Sequence, residues 1–322
     1  MDIISGILII IGLAAFETVA SIDNAIINAD ILSTMREWAR RWFLTWGILI
    51  AVFVIRGLLP WLIIWFSTPS LGPIGAITVT FSGDPIASAA IEHSAPYLLL
   101  AGGIFLVYLF LHWLMAEKKN CIVPGELAMS KHAPWFYAVA GIVLFAVVFN
   151  AVSVDPYLCL AAVGGSALFF IMQGFRLFAD SKSAELSQTC NIAEEHDDAG
   201  RLHKADISKL MLLEVIDATF SIDGVIGAFA FTISVPLILI GNGLGAVVVR
   251  ELTVRNIENI RKYAYLKNGA MYSIFILGII MCAEGFGVEI PTLVAPLCTI
   301  TIVAVFFYLS IRRIKKGIAD KC

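Results

Sequence analysis

The sequence predicts an all-α polytopic membrane protein of about nine transmembrane helices, arranged as two inverted three-helix repeats, and three observations lead there. The 322 residues are 59% hydrophobic and only 15% charged, against about 25% charged in a soluble globular protein. The apolar residues fall in runs long enough to cross a bilayer, which takes about 20 residues per helix. Basic residues alternate between successive connections, as they do when a chain weaves back and forth through a membrane.

Nine segments qualify, at 3–32, 42–66, 96–116, 134–152, 156–179, 207–233, 235–254, 264–284 and 290–311, each bounded by charge or proline. The first follows Met1 and Asp2 without a basic leader or small-residue cleavage site, so it is expected to be a retained helix. Residues 67–95 are rich in Gly, Pro and Ser and are expected to form an extramembrane or re-entrant loop, with Asp84, Glu92 and His93 solvated. This divides the chain into repeat 1 (1–116), two linking helices (117–179), a charged cytoplasmic loop (180–206), repeat 2 (207–286) and a final helix with a basic tail (287–322).

Basic residues cluster after the first span (Arg36, Arg40, Arg41), the third (Lys118, Lys119, Lys131), around the loop after the fifth (Arg176, Lys182, Arg201, Lys204, Lys209), after the seventh (Arg255, Arg261, Lys262, Lys267) and in the tail (Arg312, Arg313, Lys315, Lys316, Lys321). The positive-inside rule then places the N-terminus outside and the C-terminus in the cytoplasm. Arg56 and Arg250 remain, both inside spans. The six cysteines show no CxxC pair, so neither a zinc site nor a disulfide framework is expected. No Walker motif is present, and the near-neutral net charge of -3 argues against nucleic acid as a partner.

The repeat is visible in polar residues set among apolar ones. Glu17-x3-Ser21-Ile22-Asp23-Asn24 in span one aligns with Asp217-x3-Ser221-Ile222-Asp223-Gly224 in span six. The following spans each place an arginine nine residues after a glycine, Gly47 to Arg56 and Gly241 to Arg250. A third pair, from Tyr97 and Tyr265, is weaker. Five spans separate the two starts, so the halves run in opposite senses, as in secondary transporters whose substrate sits at the repeat interface.

Ionisable groups inside a bilayer are costly and mark function. The candidates are Glu17, Asp23, Asn24, Glu214, Asp217 and Asp223 as metal ligands, supported by Ser21, Asn28, Ser221, Arg56 and Arg250. On a continuous helix Glu17, Ser21, Asn24 and Asn28 share one face and Asp23 projects elsewhere; Glu214, Asp217 and Ser221 share a face that excludes Asp223. Either each Asp meets a different partner, such as its repeat's own Arg, or the helix unwinds at the motif. The length of span one and the backbone tolerance of Asn24 and Gly224 favour unwinding. Carboxylates, an amide and hydroxyls, without His or Cys, form a hard-oxygen set suited to Mg2+, Ca2+ or Mn2+. Crowded acids in a low-dielectric site take up protons when the metal leaves, so exchange of metal for protons is expected. Two lesser features have simpler readings: the acidic run Glu194 to Asp198 is expected to be solvated, and Gly241-x-Gly243-x-Gly245 to serve close helix packing.

FETVASIDNAIINADIL and LLEVIDATFSIDGVIGAF together resemble the TerC family of integral membrane proteins, named for association with tellurium resistance. The resemblance covers nearly the whole chain. It implies a manganese exporter, with Glu17, Asp23, Asn24, Asp217 and Asp223 forming the ion site. Gly224 in place of Asn24 and Ala228 in place of Asn28 mean that the two halves need not contribute equally. The expectation is therefore a divalent-cation transporter of the bacterial inner membrane, without enzymatic activity or a resident cofactor. Its partners are the bilayer and the Mn2+ it carries, with homo-oligomer formation left open. The alternative is a membrane scaffold assisting partner proteins. An intramembrane hydrolase using Ser21 or Ser221 is disfavoured, because no His or Lys in either motif activates the hydroxyl.

Overall fold

The computed structural model describes residues 3–316, apart from 22–24, 26–27, 29–30, 33–34, 48–49, 51–55, 68–71, 77–84, 118, 120–125, 196–198, 262 and 264. Among the described residues the chain is helical throughout, without a strand. In chain order the helices are α1 (Ile3–Ala20), α2 (Glu37–Trp42), α3 (Arg56–Ser67), α4 (Pro85–Ala116), α5 (Glu126–Ser130), α6 (Phe136–Val152), α7 (Pro156–Glu195), α8 (Ala199–Ala228), α9 (Val235–Arg261), α10 (Leu266–Gly285) and α11 (Val294–Lys316). A π-helical turn, Phe43–Gly47, continues α2.

Six described helical segments are long and apolar enough to cross a membrane: Ile3–Ala20, His93–Ala116, Ala133–Val152, Pro156–Phe178, Leu266–Gly285 and Val294–Lys315. The protein is a multi-pass helical membrane protein. Composition explains why these runs are helices at all: in hydrocarbon the backbone must satisfy its own hydrogen bonds, and a helix does so within one segment.

The helices pack around α4, which lies most extensively against α10 and also contacts α7. α1 packs on α9 and α11, while α7 runs beside α6 and α8. The core at these contacts holds Leu13, Phe16, Leu100, Phe105, Tyr108 and Phe169, all at most 2% exposed. Phe145 and Phe149 of α6 and Leu160 of α7 point outward, the pattern of side chains facing lipid rather than water.

Two boundaries differ from expectation. Helix α4 begins at Pro85, inside the segment expected to be a loop, and carries Pro96 within it. Proline at a first helical position has no N–H to lose and a backbone angle already suited to the helix, so a Gly/Pro/Ser-rich stretch need not be irregular. His93 is exposed, as expected, while Asp84 lies outside the described residues. Of residues 180–206, expected to be a charged loop, those described are instead the ends of α7 and α8, helical to Glu195 and again from Ala199. Ala, Glu, Lys and Leu in that stretch are strong helix formers whether or not lipid surrounds them.

The helix ends follow ordinary capping chemistry. Asp155 precedes α7 and accepts the Tyr157 N–H at 2.9 Å and the Tyr97 hydroxyl at 2.6 Å. These hydrogen bonds hold its carboxyl below the usual carboxylate range. Lys119 caps the other end of α4, donating to Trp113 O at 3.0 Å and also to Leu114 O, with its ammonium 4.8 Å from the Trp113 ring.

Candidate functional site

Among the described residues of the proposed set Glu17 is the best-buried acid, 1% exposed on α1. The Ser21 hydroxyl donates to its Oε1 at 2.5 Å, as their shared helix face requires. The carboxylate fits because two glycines leave room for it. A Cβ on Gly224 of α8 would fall 2.6 Å from Glu17 Oε2, and one on Gly245 of α9 would fall 2.6 Å from Glu17 Cβ. The first motif's acid therefore sits against the last residue of the second motif, 207 positions along the chain by their numbers.

Asp223 is buried beside it and forms an ion pair with Arg176 of α7, the two side chains being 12% and 14% exposed. Neighbours on α8 thus serve different partners, Gly224 facing α1 and Asp223 facing α7. The expected unwinding is not found in the second motif: α8 runs unbroken from Ala199 to Ala228, and Gly224 is not among the glycines of positive φ. The physical reason is that Asp223 has a guanidinium within reach and needs no freed carbonyl. Its partner is Arg176, which position alone assigns to a cytoplasmic flank. The side chain of Arg250 lies outside the described residues. Around Ser21 the helical bonding persists, with Ser21 N–H donating to Glu17 O at 3.0 Å and Ala25 N–H to Ser21 O at 2.9 Å.

Glu214 is half-buried on α8, with its Oε1 where a Cβ on Gly47 of the π-helical turn would fall. Asn28 is 7% exposed. Asp23 and Asn24 lie outside the described residues, as do the side chains of Asp217, Ser221 and Arg56. Among the described residues no three His, Cys, Asp or Glu side chains converge as a metal-binding group. The described geometry thus seats Glu17 against Gly224, the neighbour of Asp223, while Asp223 itself pairs with Arg176.

A second polar group adjoins it. Gln173, one helical turn before Arg176, meets His112 with 3.1 Å between their Nε2 atoms. When the amide donates, the neutral ring carries its proton on Nδ1, which lies 3.7 Å from Glu117 Oε1. Glu117 in turn accepts from Lys267 at 2.8 Å. Burial pushes the Glu117 carboxyl up, but the His112 ring and the Lys267 ammonium outweigh it and hold the carboxyl down at about 2.

A carboxyl lower in the folded than the unfolded state stabilises the fold above its ordinary value of 4.5, and that gain is lost as pH falls toward about 2. Glu117→Gln is therefore expected to be less thermostable than the parent at neutral pH, with the difference narrowing below about pH 5 and closing only near pH 2. Thermal inactivation of both proteins in detergent across that range checks it; a pH-independent difference would contradict the assignment.

A family model described as "Protein of unknown function (DUF475)" matches residues 22–317, which take in the second motif and, of the first, only the part from Ile22 onward. The chain belongs to the DUF475 family. No curated protein and no solved structure matches it. In this DUF475 member Glu17 and Asp223 are buried and Ser21 is half-buried, whereas the sequence motifs do not point to Arg176, His112 or Glu117. Arg176 carries a signal, since it falls within the span bounds 156–179 in the apolar context GFRLF.

Proposed function

We propose that this protein transports divalent metal cations, with Mn2+ export the best fit, through an acidic site at the interface of two inverted repeats within a nine-span, N-outside fold. The observation that carries the reading is the seat of Glu17 against Gly224, the neighbour of Asp223, because it sets the acid of one motif against the backbone of the other. Similarity to the TerC family supports Mn2+ as cargo and the bacterial inner membrane as location. Hard oxygen donors suit that ion. Glu17, Asp223, Asp23, Asn24, Asp217 and Glu214 would supply ligands, and acids left without a cation would take up protons, which couples metal export to proton entry. No resident cofactor or catalytic residue enters this reading.

The test is metal flux in proteoliposomes across a panel of divalent cations, with a pH-sensitive dye inside. Mn2+ movement accompanied by opposite proton movement is expected, and Glu17→Gln should slow it by at least about tenfold, the loss typical of an altered metal site. Wild-type protein that moves none of the cations would sink the proposal. One observation favours a second reading, in which the chain is a membrane scaffold: Asp223 already has an internal cation in Arg176. Loss of a captured partner in variants of the helical extension 180–206, with cellular metal unchanged, would favour that reading.

A further inference from the structure

Helix α2 and its π-helical turn sort their side chains by spacing. Ala39, Phe43 and Gly47, four apart, are buried. Ala39 and Phe43 join Leu210 and Leu213 of α8 in one apolar cluster, and Arg36, just before α2, pairs with Asp206 of α8 at 2.6 Å. Trp38, Trp42 and Trp46, also four apart, are 39%, 38% and 61% exposed. A four-residue step drifts forward by about 40° on an α-helix, whereas the wider π-helical turn, bonded i to i+5, drifts back. The turn at Phe43–Gly47 therefore brings Trp46 into line with Trp38 and keeps three indoles in one stripe.

A contiguous stripe of exposed indoles marks an interaction surface, and its height in the fold says what it meets. Along α8 the sequence passes from charged at 199–209 to apolar at 210–213. Helix α2 straddles that point, ion-paired on the charged side and packed on the apolar side. This is the level at which a membrane span enters the headgroup layer, where an indole buries its ring among acyl chains and keeps its N–H at the polar boundary. The charge beside the stripe is positive, since residues 36–47 carry three arginines and one glutamate. Arg41 pairs with Glu37 one turn away, their side chains 76% and 75% exposed. A pair so open to solvent holds its members weakly, which frees the guanidinium to exchange onto a phosphate.

We infer that Trp38, Trp42 and Trp46, with Arg41 beside them, form a recognition surface for the headgroups of anionic phospholipids. The indoles set the depth of α2 in the boundary layer, and the arginine selects the headgroup class by its phosphate and net charge. The surface is independent of the transport reading and stands or falls without it.

The test is quenching of tryptophan fluorescence by brominated lipids in nanodiscs that hold the full chain. Bromine near the headgroup end of the acyl chain should quench more than bromine at its tip. Replacing Trp38, Trp42 and Trp46 with phenylalanine should remove most of that difference. Where the triple variant does not insert, Trp46→Phe, which removes the most exposed of the three, carries the same comparison. Brominated phosphatidylglycerol should occupy the stripe several-fold more tightly than brominated phosphatidylcholine. Arg41→Gln should lose most of that preference, because one basic residue at an anionic surface is worth about fivefold. Equal quenching by the two headgroups, or a preference unchanged in Arg41→Gln, overturns the selection of anionic lipid. A depth profile unaltered by loss of the tryptophans overturns the surface itself, as do indoles shielded from both lipids in the way a docked second copy would shield them.

Discussion

Arg176→Gln is expected to lower stability by about 3–5 kcal/mol, the loss typical when one partner of a buried ion pair is removed and the other charge is left uncompensated. Both side chains are largely buried, at 14% and 12% exposed, so solvent does little to screen the orphaned Asp223. Thermal inactivation in detergent, followed by the loss of monodisperse protein, measures the effect. Asp223→Asn should be harmed similarly, leaving Arg176 as the stranded charge. The double variant Arg176→Gln with Asp223→Asn should recover much of the lost stability, because a neutral pair of similar shape replaces the ionic one. Its transport should remain absent if Asp223 is also a ligand. Recovery of both stability and transport would make the pair a structural fastening only. Arg176→Gln with wild-type stability would show that the pair does not hold the helices.

The second large effect concerns Gly245. Glycine to alanine inside a helix ordinarily stabilises by about 1 kcal/mol, and here the sign is expected to reverse. A Cβ on Gly245 would fall 2.6 Å from Glu17 Cβ and 2.8 Å from the carbonyl oxygen of Ala14. Neither neighbour is the free end of a flexible side chain, so α1 and α9 must separate along their contact. The expected outcome is a Gly245→Ala protein that inserts poorly or inactivates several degrees earlier, with the Glu17 seat disturbed and flux lost. Gly243 is the matched control, two residues away in the same motif, with nothing within 4 Å of its would-be Cβ. Gly243→Ala should be neutral or slightly stabilising. Equal behaviour of the two variants would refute close packing of α1 on α9 at this point.

How far residue order alone reveals such features varies along the chain. Spans such as 134–152 are legible to within a residue or two because Pro134 and Pro156 bracket an uninterrupted apolar run. The 180–206 segment is not, because hydropathy reports lipid contact and is silent on whether a polar stretch continues a helix. The glycine pattern Gly241-x-Gly243-x-Gly245 points to packing, but only Gly241 and Gly245 touch α1, through Leu13 and Glu17. That four-residue spacing follows one helix face and passes over Gly243. Within the site, repetition of Ser-Ile-Asp singles out Asp223, whereas its partner lies on α7, which carries neither motif. Arg176 and Asp223 are 47 positions apart, and no periodicity connects them. Pairing across α7 and α8 is a property of the folded bundle.

The alignment of the two motifs pairs Asn24 with Gly224, which looks like a donor lost from one half. The seat of Glu17 gives that difference another meaning. With a Cβ at 224 only 2.6 Å from Glu17 Oε2, the second half contributes a socket where the first contributes a plug. Two motifs alike in sequence that meet as plug and socket cannot exchange roles. An asparagine grafted at 224 to restore symmetry would evict the very carboxylate that symmetry was meant to serve.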